Sequence, residues 1–311
     1  MDSWNWWDIV AERRFSGIVI AVIGGDEREQ EIARLAAASG AEVRAFGFPW
    51  PVGGIDGVVV TESARGALSG AHYALFPIPG IGDDGSLFAP SAPSPIIPDT
   101  ALLSHLADGA AIILGTANQE LRTAATSLGQ TVVEYENDTE LMLRRGPAIV
   151  EGAIGAAITN TAVTLHDAAI GVVGYGNIGR LLALRLVAMS AHVHVFARNR
   201  VQRADAYASG CDAHPLDELA DSAPALDMLF STVSAPVVSR EVLGGFAKNS
   251  LVMDLAAPPG SVDLAAATDL GLRAVWARGL GRRAPLTVGR SQWAGIVNRI
   301  EELEEERIHG S

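Results

Sequence analysis

The chain of 311 residues has a single cysteine, Cys211, so no disulfide can form within it. That economy suits a reducing compartment, and the cytoplasm is the expected location. No apolar run reaches the roughly 18 residues that a spanning helix needs, so no membrane span is expected. The start, "MDSWNWWDIVAERRF", lacks a basic region followed by an apolar core and does not read as a secretory signal. Basic residues are outnumbered, 23 against 36 acidic, and the formal net charge of −13 argues against nucleic acid or an anionic membrane as partner. The seven histidines, His72, His105, His166, His192, His194, His214 and His309, show no metal-ligand spacing, so no metal is expected. There is no G-x-S-x-G nucleophile motif, and nothing near Cys211 indicates a reactive thiolate.

What is present is apolar material. Hydrophobic residues make up 49 % of the chain and charged residues 19 %, enough to bury real cores in two domains of ordinary size. Trp4, Trp6 and Trp7 crowd the start, and they are accounted for by a short amphipathic helix packing on the body or on another protomer.

The chain also repeats itself. "IAVIGGDEREQEIARLAAASGAEVRAFGF" from Ile20 aligns with "IGVVGYGNIGRLLALRLVAMSAHVHVFAR" from Ile170, at a constant offset of 150 positions. Gly24 falls on Gly174, Ala41 on Ala191, Val43 on Val193 and Phe46 on Phe196. Each copy reads as strand, tight turn, helix, strand, the opening of a doubly wound parallel sheet. Further strands are expected around Val58, Leu75, Ile113 and Val133, and again around Leu229, Met253 and Val275. The proline-rich "SLFAPSAPSPIIPD" reads as a loop over one edge.

The differences between the copies separate their roles. Pyrophosphate needs close backbone approach and free N–H groups at a helix start. The second copy supplies G-x-G-x-x-G as Gly174, Tyr175, Gly176, Asn177, Ile178 and Gly179. The first has Asp26 and Glu29 where Gly176 and Gly179 stand, and two carboxylates would repel and obstruct a phosphate. The expected fold is therefore α/β with two Rossmann-like domains, parallel sheets and linking helices. Residues 1–147 form a degenerate, substrate-side domain completed by a terminal helix at 289–311, and 148–288 form the NAD(P)-binding domain. Pro147 is expected to open a linking helix through "AIVEGAIGAAITNTAVTL", and "SQWAGIVNRIEELEEERI" should form the last one.

At the end of the second strand an NAD-binding domain usually places an acid against the ribose. Here Arg198 occupies that place, followed by Asn199, Arg200 and Arg203. A cation and an amide suit a 2′-phosphate, which favours NADP over NAD. Val233 and Ala256, in loops after later strands, complete the expected cofactor set. Candidates on the substrate side come from loops after strands and from the linking helix. They are Asp26, Arg28 and Glu151 for catalysis, with Arg144, Arg145, Arg278, Pro79 and Ser261 for binding a small carboxylate.

"AVIGGDEREQEIARLAAASGAEV", "GPAIVEGAIGAAI", "GVVGYGNIGR", "DLAAPPGSVD" and "GLGRRAPLTVG", in this order and spacing, resemble the A-type component family of dipicolinate synthase over nearly the whole chain. The resemblance implies a sporulation-related, dipicolinate-forming oxidoreductase. Such an enzyme dehydrogenates a dihydrodipicolinate-type ring with NADP and works with a second, flavoprotein-like B-type component. Homodimers are expected by analogy with two-domain dehydrogenases. The chain departs from the family pattern at Arg144, Arg145, Ala148, Ala257, Pro258, Pro79 and Arg278, all on the substrate side. Two alternatives stay open: a dehydrogenase or reductase of another small carboxylate, of the 2-hydroxy-acid type, and a catalytically silent NADP-binding regulatory protein.

Overall fold

The computed structural model describes residues 14–309, so Trp4, Trp6 and Trp7 lie outside the described residues. The chain forms two compact units. One runs up to Arg145 and is rejoined by the chain from Ala284; the other is Gly146–Arg283.

The first unit is a six-stranded sheet of β1 (Val19–Ile23), β2 (Glu42–Phe46), β3 (Val58–Val60), β4 (Tyr73–Leu75), β5 (Ala111–Leu114) and β6 (Thr131–Glu134). All its pairings are parallel, in the order β3-β2-β1-β4-β5-β6. The second contains β7 (Ala169–Val173), β8 (His192–Phe196), β9 (Asp212–His214), β10 (Met228–Ser231), β11 (Leu251–Asp254) and β12 (Arg273–Trp276). Its order, β9-β8-β7-β10-β11-β12, repeats the first strand for strand and is again parallel. This is the dinucleotide-fold order, in which the winding reverses between the first and fourth strands and ligands sit beyond the carboxyl ends there.

The strands form where both faces can be covered. In β1, Ile20, Ala21, Val22 and Ile23 are all fully buried, so the run is continuously apolar rather than alternating. Helices α1 (Glu27–Ala38), α2 (Ala64–Leu68), α3 (Thr100–Leu103) and α4 (Gln119–Ser127) flank the first sheet. The chain then enters α5 (Thr139–Asn160), which passes from one unit to the other. The second sheet carries α6 (Asn177–Ala188), α7 (Arg200–Ala208), α8 (Leu219–Ser222), α9 (Arg240–Gly244) and α10 (Leu264–Asp269), and α11 (Pro285–His309) ends the chain. The 150-residue offset holds for every boundary of β1, α1 and β2 against β7, α6 and β8.

Two helix starts differ from the sequence reading. Pro147 lies inside α5, not at its first residue. The start is set eight residues earlier by Asp138, whose Oδ1 accepts from the Leu141 N–H at 3.1 Å. Proline removes one backbone bond from a helix already nucleated, which a 22-residue helix tolerates. The same helix stops at Asn160, short of "TAVTL". The last helix begins at Pro285, four residues before the expected 289 and six before the quoted Ser291. That added turn and a half lets α11 seat on α1. A Cβ at Gly289 would lie 2.7 Å from the Arg28 carbonyl oxygen, and Arg290 reaches Glu31 at 2.7 Å. Trp293 is 1 % exposed and meets Phe15 edge-on at 6.0 Å.

Among the described residues no helix is long and apolar enough to cross a membrane. Trp293 anchors α11 in the first core, so Trp293→Ala should lower unfolding stability by about 3–5 kcal/mol. Chemical denaturation of the purified protein measures this, and a loss below about 1 kcal/mol would contradict the packing described.

Candidate functional site

In the second unit, β7 ends in a turn that only glycine can make. Gly174 has φ +89°, and a Cβ there would fall 2.7 Å from Val233 and 2.8 Å from the Thr232 hydroxyl oxygen. A Cβ on Gly179 would lie 2.2 Å from the Gly174 carbonyl oxygen, so the first turn of α6 rests directly on the loop. Between them Gly176 is the N-cap of α6. It makes no side-chain cap, and no atom lies within 4 Å of where its Cβ would be. No acidic residue stands in the first turn. The amides that open this 12-residue helix are thus left uncapped by any side chain at N-cap, beside open space, which is the condition for holding an anion. Asn177 is exposed and Ile178 half-buried, while the Tyr175 side chain is buried in the core and leaves only its backbone for a ligand.

The turn after β8 carries the residues expected around the adenosine. Arg198 and Arg200 are exposed, and among the described residues neither guanidinium has a hydrogen-bond partner. The Asn199 side chain caps α7 instead, accepting from the Val201 N–H at 2.8 Å. Val233 lies beside Gly174. Ala256 and Ser261 belong to a loop organised by the buried Asp254, which accepts from the backbone N–H of Ala256 (2.9 Å), Ser261 (2.6 Å) and Val262 (3.0 Å). The Ala256 carbonyl takes the Trp276 indole N–H at 2.9 Å, and Arg278 stacks over that indole at 5.2 Å. Glu151 is exposed and paired with Arg283 at 2.5 Å.

The first unit has the same turn with its anion position filled from within. Gly24 (φ +73°) repeats the left-handed position of Gly174, and Gly25 (φ +97°) adds a second where the other unit has Tyr175. Asp26 caps α1 and also takes a bidentate pair from Arg28, at 2.7 and 3.0 Å. Glu29 Oε2 accepts from the Asp26 N–H at 2.7 Å, closing a capping box. Its carboxyl group occupies the space a Cβ on Gly25 would need, 2.2 Å away. The proline-rich segment covers what remains: the Gly25 N–H donates to the Phe88 carbonyl at 2.7 Å, and Ile96 lies 3.0 Å from where a Gly47 Cβ would be. Sequence reasoning recognised these carboxylates as obstacles to phosphate but not as the helix's own cap. The D-x-x-E spacing in "GGDERE" is the signal that reveals it.

Burial also sets the charge of this cluster. Glu29 is 2 % exposed and its Oε1 has no partner among the described residues. Desolvation pushes its carboxyl up to about 7, against the pull of the neighbouring Arg28 guanidinium. Burial, followed by the Glu29 carboxylate, pushes the nearby Tyr135 phenol upward as well. Arg145 is held bidentate by Glu136 at 3.0 and 2.9 Å, and Arg144 pairs with Glu140 at 2.8 Å. Pro79 is exposed in a turn closed by the Gly80 N–H on the Pro77 carbonyl at 2.9 Å. The structure therefore brings Asp26 and Arg28 together with Glu29 and Tyr135, two residues the sequence reading did not select. It engages Arg144, Arg145 and Glu151 in ion pairs.

Two surface cavities in the first unit lie elsewhere. One, of about 660 Å³, is lined by residues including Ile97, Asn118 and Leu121; the other, of about 610 Å³, by residues including Arg34, Ile55 and Leu286. Neither contains a residue assigned above to catalysis, cofactor binding or substrate binding. Among the described residues no group of three or more His, Cys, Asp or Glu is placed to hold a metal ion. Cys211 is buried, and burial pushes its thiol up to about 11, far from thiolate reactivity.

Comparison with known proteins agrees with the division into two units. Residues 19–136 match the N-terminal domain of the dipicolinate synthase A-type component, and residues 145–239 match the NAD binding domain of D-isomer specific 2-hydroxyacid dehydrogenases. The dipicolinate synthase A-type component of Bacillus subtilis (strain 168) is 27 % identical over 292 residues, covering 94 % of this chain and 98 % of that protein. The crystal structure of the same component from Bacillus halodurans superimposes with a TM-score of 0.84 at 26 % identity, covering 91 % of this chain and 98 % of that one. A transhydrogenase from Sinorhizobium meliloti shares the fold, with a TM-score of 0.69 at 16 % identity over 91 % of this chain and 94 % of its own. The chain is thus similar to the dipicolinate synthase A-type component through both units, and its second unit is a nicotinamide-dinucleotide-binding domain.

The closed turn has a pH signature. Glu29 titrates near 7 when folded against 4.5 as a free side chain. As pH rises from 4.5 towards 7 the unfolded chain releases this proton while the folded one keeps it, so stability falls over that window and stays reduced above it. Glu29→Gln removes the term. Its advantage in unfolding midpoint over the unaltered protein should be largest at pH 8 and shrink towards pH 5. Parallel stability curves for the two proteins would show that Glu29 is not a buried acid of this kind.

Proposed function

We propose that the chain is an NADP-dependent oxidoreductase of the dipicolinate synthase A type, dehydrogenating a dihydrodipicolinate-like cyclic carboxylate to dipicolinate or a close relative. The observation that carries the reading is the uncapped start of α6, with Gly174 and Gly179 packed so that no side chain intrudes. The amides from Gly176 to Gly179 would hold the pyrophosphate, Val233 and Ala256 would border the nucleotide, and Arg198 with Arg200 would meet the 2′-phosphate. The cofactor would supply a hydride acceptor as the substrate ring becomes aromatic.

The first unit serves the substrate side. Arg28, fixed by Asp26, presents a buried guanidinium at the carboxyl end of β1, where an open parallel sheet takes ligands. Glu151 and Arg278 are exposed and lie in loops or helices of the second unit able to accept a proton or a carboxylate, respectively. Work in tandem with a second component belongs to the same reading, on the strength of the relatives' description as one component of a synthase. Its flavoprotein-like character and homodimerisation are carried by the family resemblance and by analogy with two-domain dehydrogenases.

A second reading keeps the cofactor and changes the substrate. It is favoured by the match of residues 145–239 to the 2-hydroxyacid dehydrogenase domain and by the ion pairs that engage Arg144 and Arg145. In that case a different small carboxylate is oxidised or reduced.

The test is a direct assay. Purified protein, alone and with a flavoprotein-like B-type component, is mixed with the lysine-pathway dihydrodipicolinate precursor and either NADP or NAD, and reduced nicotinamide is followed by absorbance. NADP reduction at least about ten-fold more efficient than NAD reduction is expected. No turnover in any mixture would move the assignment to the second reading, and preference for NAD would refute the assignment of Arg198.

A further inference from the structure

The carbonyls of the turn between β8 and α7 are each engaged, and one residue makes the decisive ties. The Ala197 N–H donates to the His214 carbonyl on the neighbouring strand at 3.1 Å. The Asn199 side chain caps α7, and its carbonyl accepts from the Arg203 N–H at 3.1 Å. Two carbonyl oxygens remain, those of Ala197 and Arg198, at the end of a parallel strand where a nucleotide ribose sits in this fold. Arg203 Nη1 donates to both, each at 2.8 Å. With those contacts made, Arg198 and Arg200 project from a turn whose own backbone is fixed.

We infer that Arg203 is a positioning residue for 2′-phosphate selectivity, acting through the turn that presents Arg198; the inference rests on the NADP reading above. The physics is local. Two uncovered carbonyl oxygens would place partial negative charge beside a dianionic phosphate, and a guanidinium that covers both reverses the sign of that field. It also removes freedom from the Arg198 backbone, so that less order is imposed when a ligand binds. A ribose 2′-hydroxyl is neutral and is indifferent to the sign of the field. Loss of Arg203 should therefore weaken NADPH and leave NADH nearly untouched, which a general loosening of the fold would not do. Lysine keeps the charge but lacks the planar fork, so it should restore the effect in part.

The experiment uses the full-length protein and the enhancement of reduced-nicotinamide fluorescence on binding, which needs no substrate. Dissociation constants for NADPH and NADH are measured for the unaltered protein and for Arg203→Ala, Arg203→Lys and Arg198→Ala, with thermal unfolding as a check on folding. Arg203→Ala should weaken NADPH by about ten-fold, the size of one charge-assisted contact, and change NADH by less than about two-fold. Arg203→Lys should fall between the two, and Arg198→Ala should lose NADPH preference at least as fully as Arg203→Ala. An unchanged NADPH-to-NADH ratio in Arg203→Ala, whether both weaken or neither does, overturns the inference while leaving the cofactor reading intact. Retained preference in Arg198→Ala alongside its loss in Arg203→Ala overturns the positioning role, since Arg203 would then be the contact itself. An unaltered protein that prefers NADH overturns the cofactor reading and the inference together.

Discussion

A helix that begins at the end of a buried strand exposes its first N–H groups with no intrahelical partner, and something must satisfy them. The two halves of this chain answer that demand in opposite ways. In the first unit Asp26 and Glu29 supply carboxylate oxygens from the helix itself, and the Phe88 carbonyl takes the Gly25 amide. In the second unit Gly176 and Gly179 supply nothing, and the same position is left open. Strand order, the boundaries of the opening strand–helix–strand and the left-handed glycine at Gly24 and Gly174 are otherwise shared. A few side-chain differences at one helix start thus separate a scaffold from a nucleotide cradle.

The closed copy carries its own electrostatic consequence. Filling an anion site with Glu29 buries a carboxyl group, and Arg28 is already committed to Asp26, so burial pushes the acid up to about 7, into the range where it titrates near neutral pH. A buried cluster of Asp26, Arg28, Glu29 and Tyr135 is the result, at the carboxyl ends of the strands, where a substrate-side domain would receive its ligand. Arg145 is held in a separate pair with Glu136.

Much of this was legible in the sequence because its causes are local. Continuous apolar runs of four to five residues mark buried parallel strands, and the constant offset between Ile20 and Ile170 carries β1, α1 and β2 onto β7, α6 and β8. The start of α5 was misread because Pro147 is a familiar opening signal, whereas the effective signal was Asp138 with its side chain on the Leu141 amide. The length of α11 depends on its fit against α1 through Gly289, a contact between segments some 260 positions apart that no local pattern reveals. Asn199 illustrates a different limit: an amide after a strand suits a phosphate ligand and a helix cap equally well, and only the geometry shows that it caps α7.

The most direct test of the account is the number of dinucleotides bound by each chain, read by titration calorimetry with NADPH on the full-length protein. One site per chain is expected, lost in Gly176→Asp, which gives α6 the cap that α1 already has, with the fold retained by circular dichroism. Two sites per chain, or one site that survives Gly176→Asp, would contradict the claim that the capping of one helix start decides which half of the molecule binds cofactor.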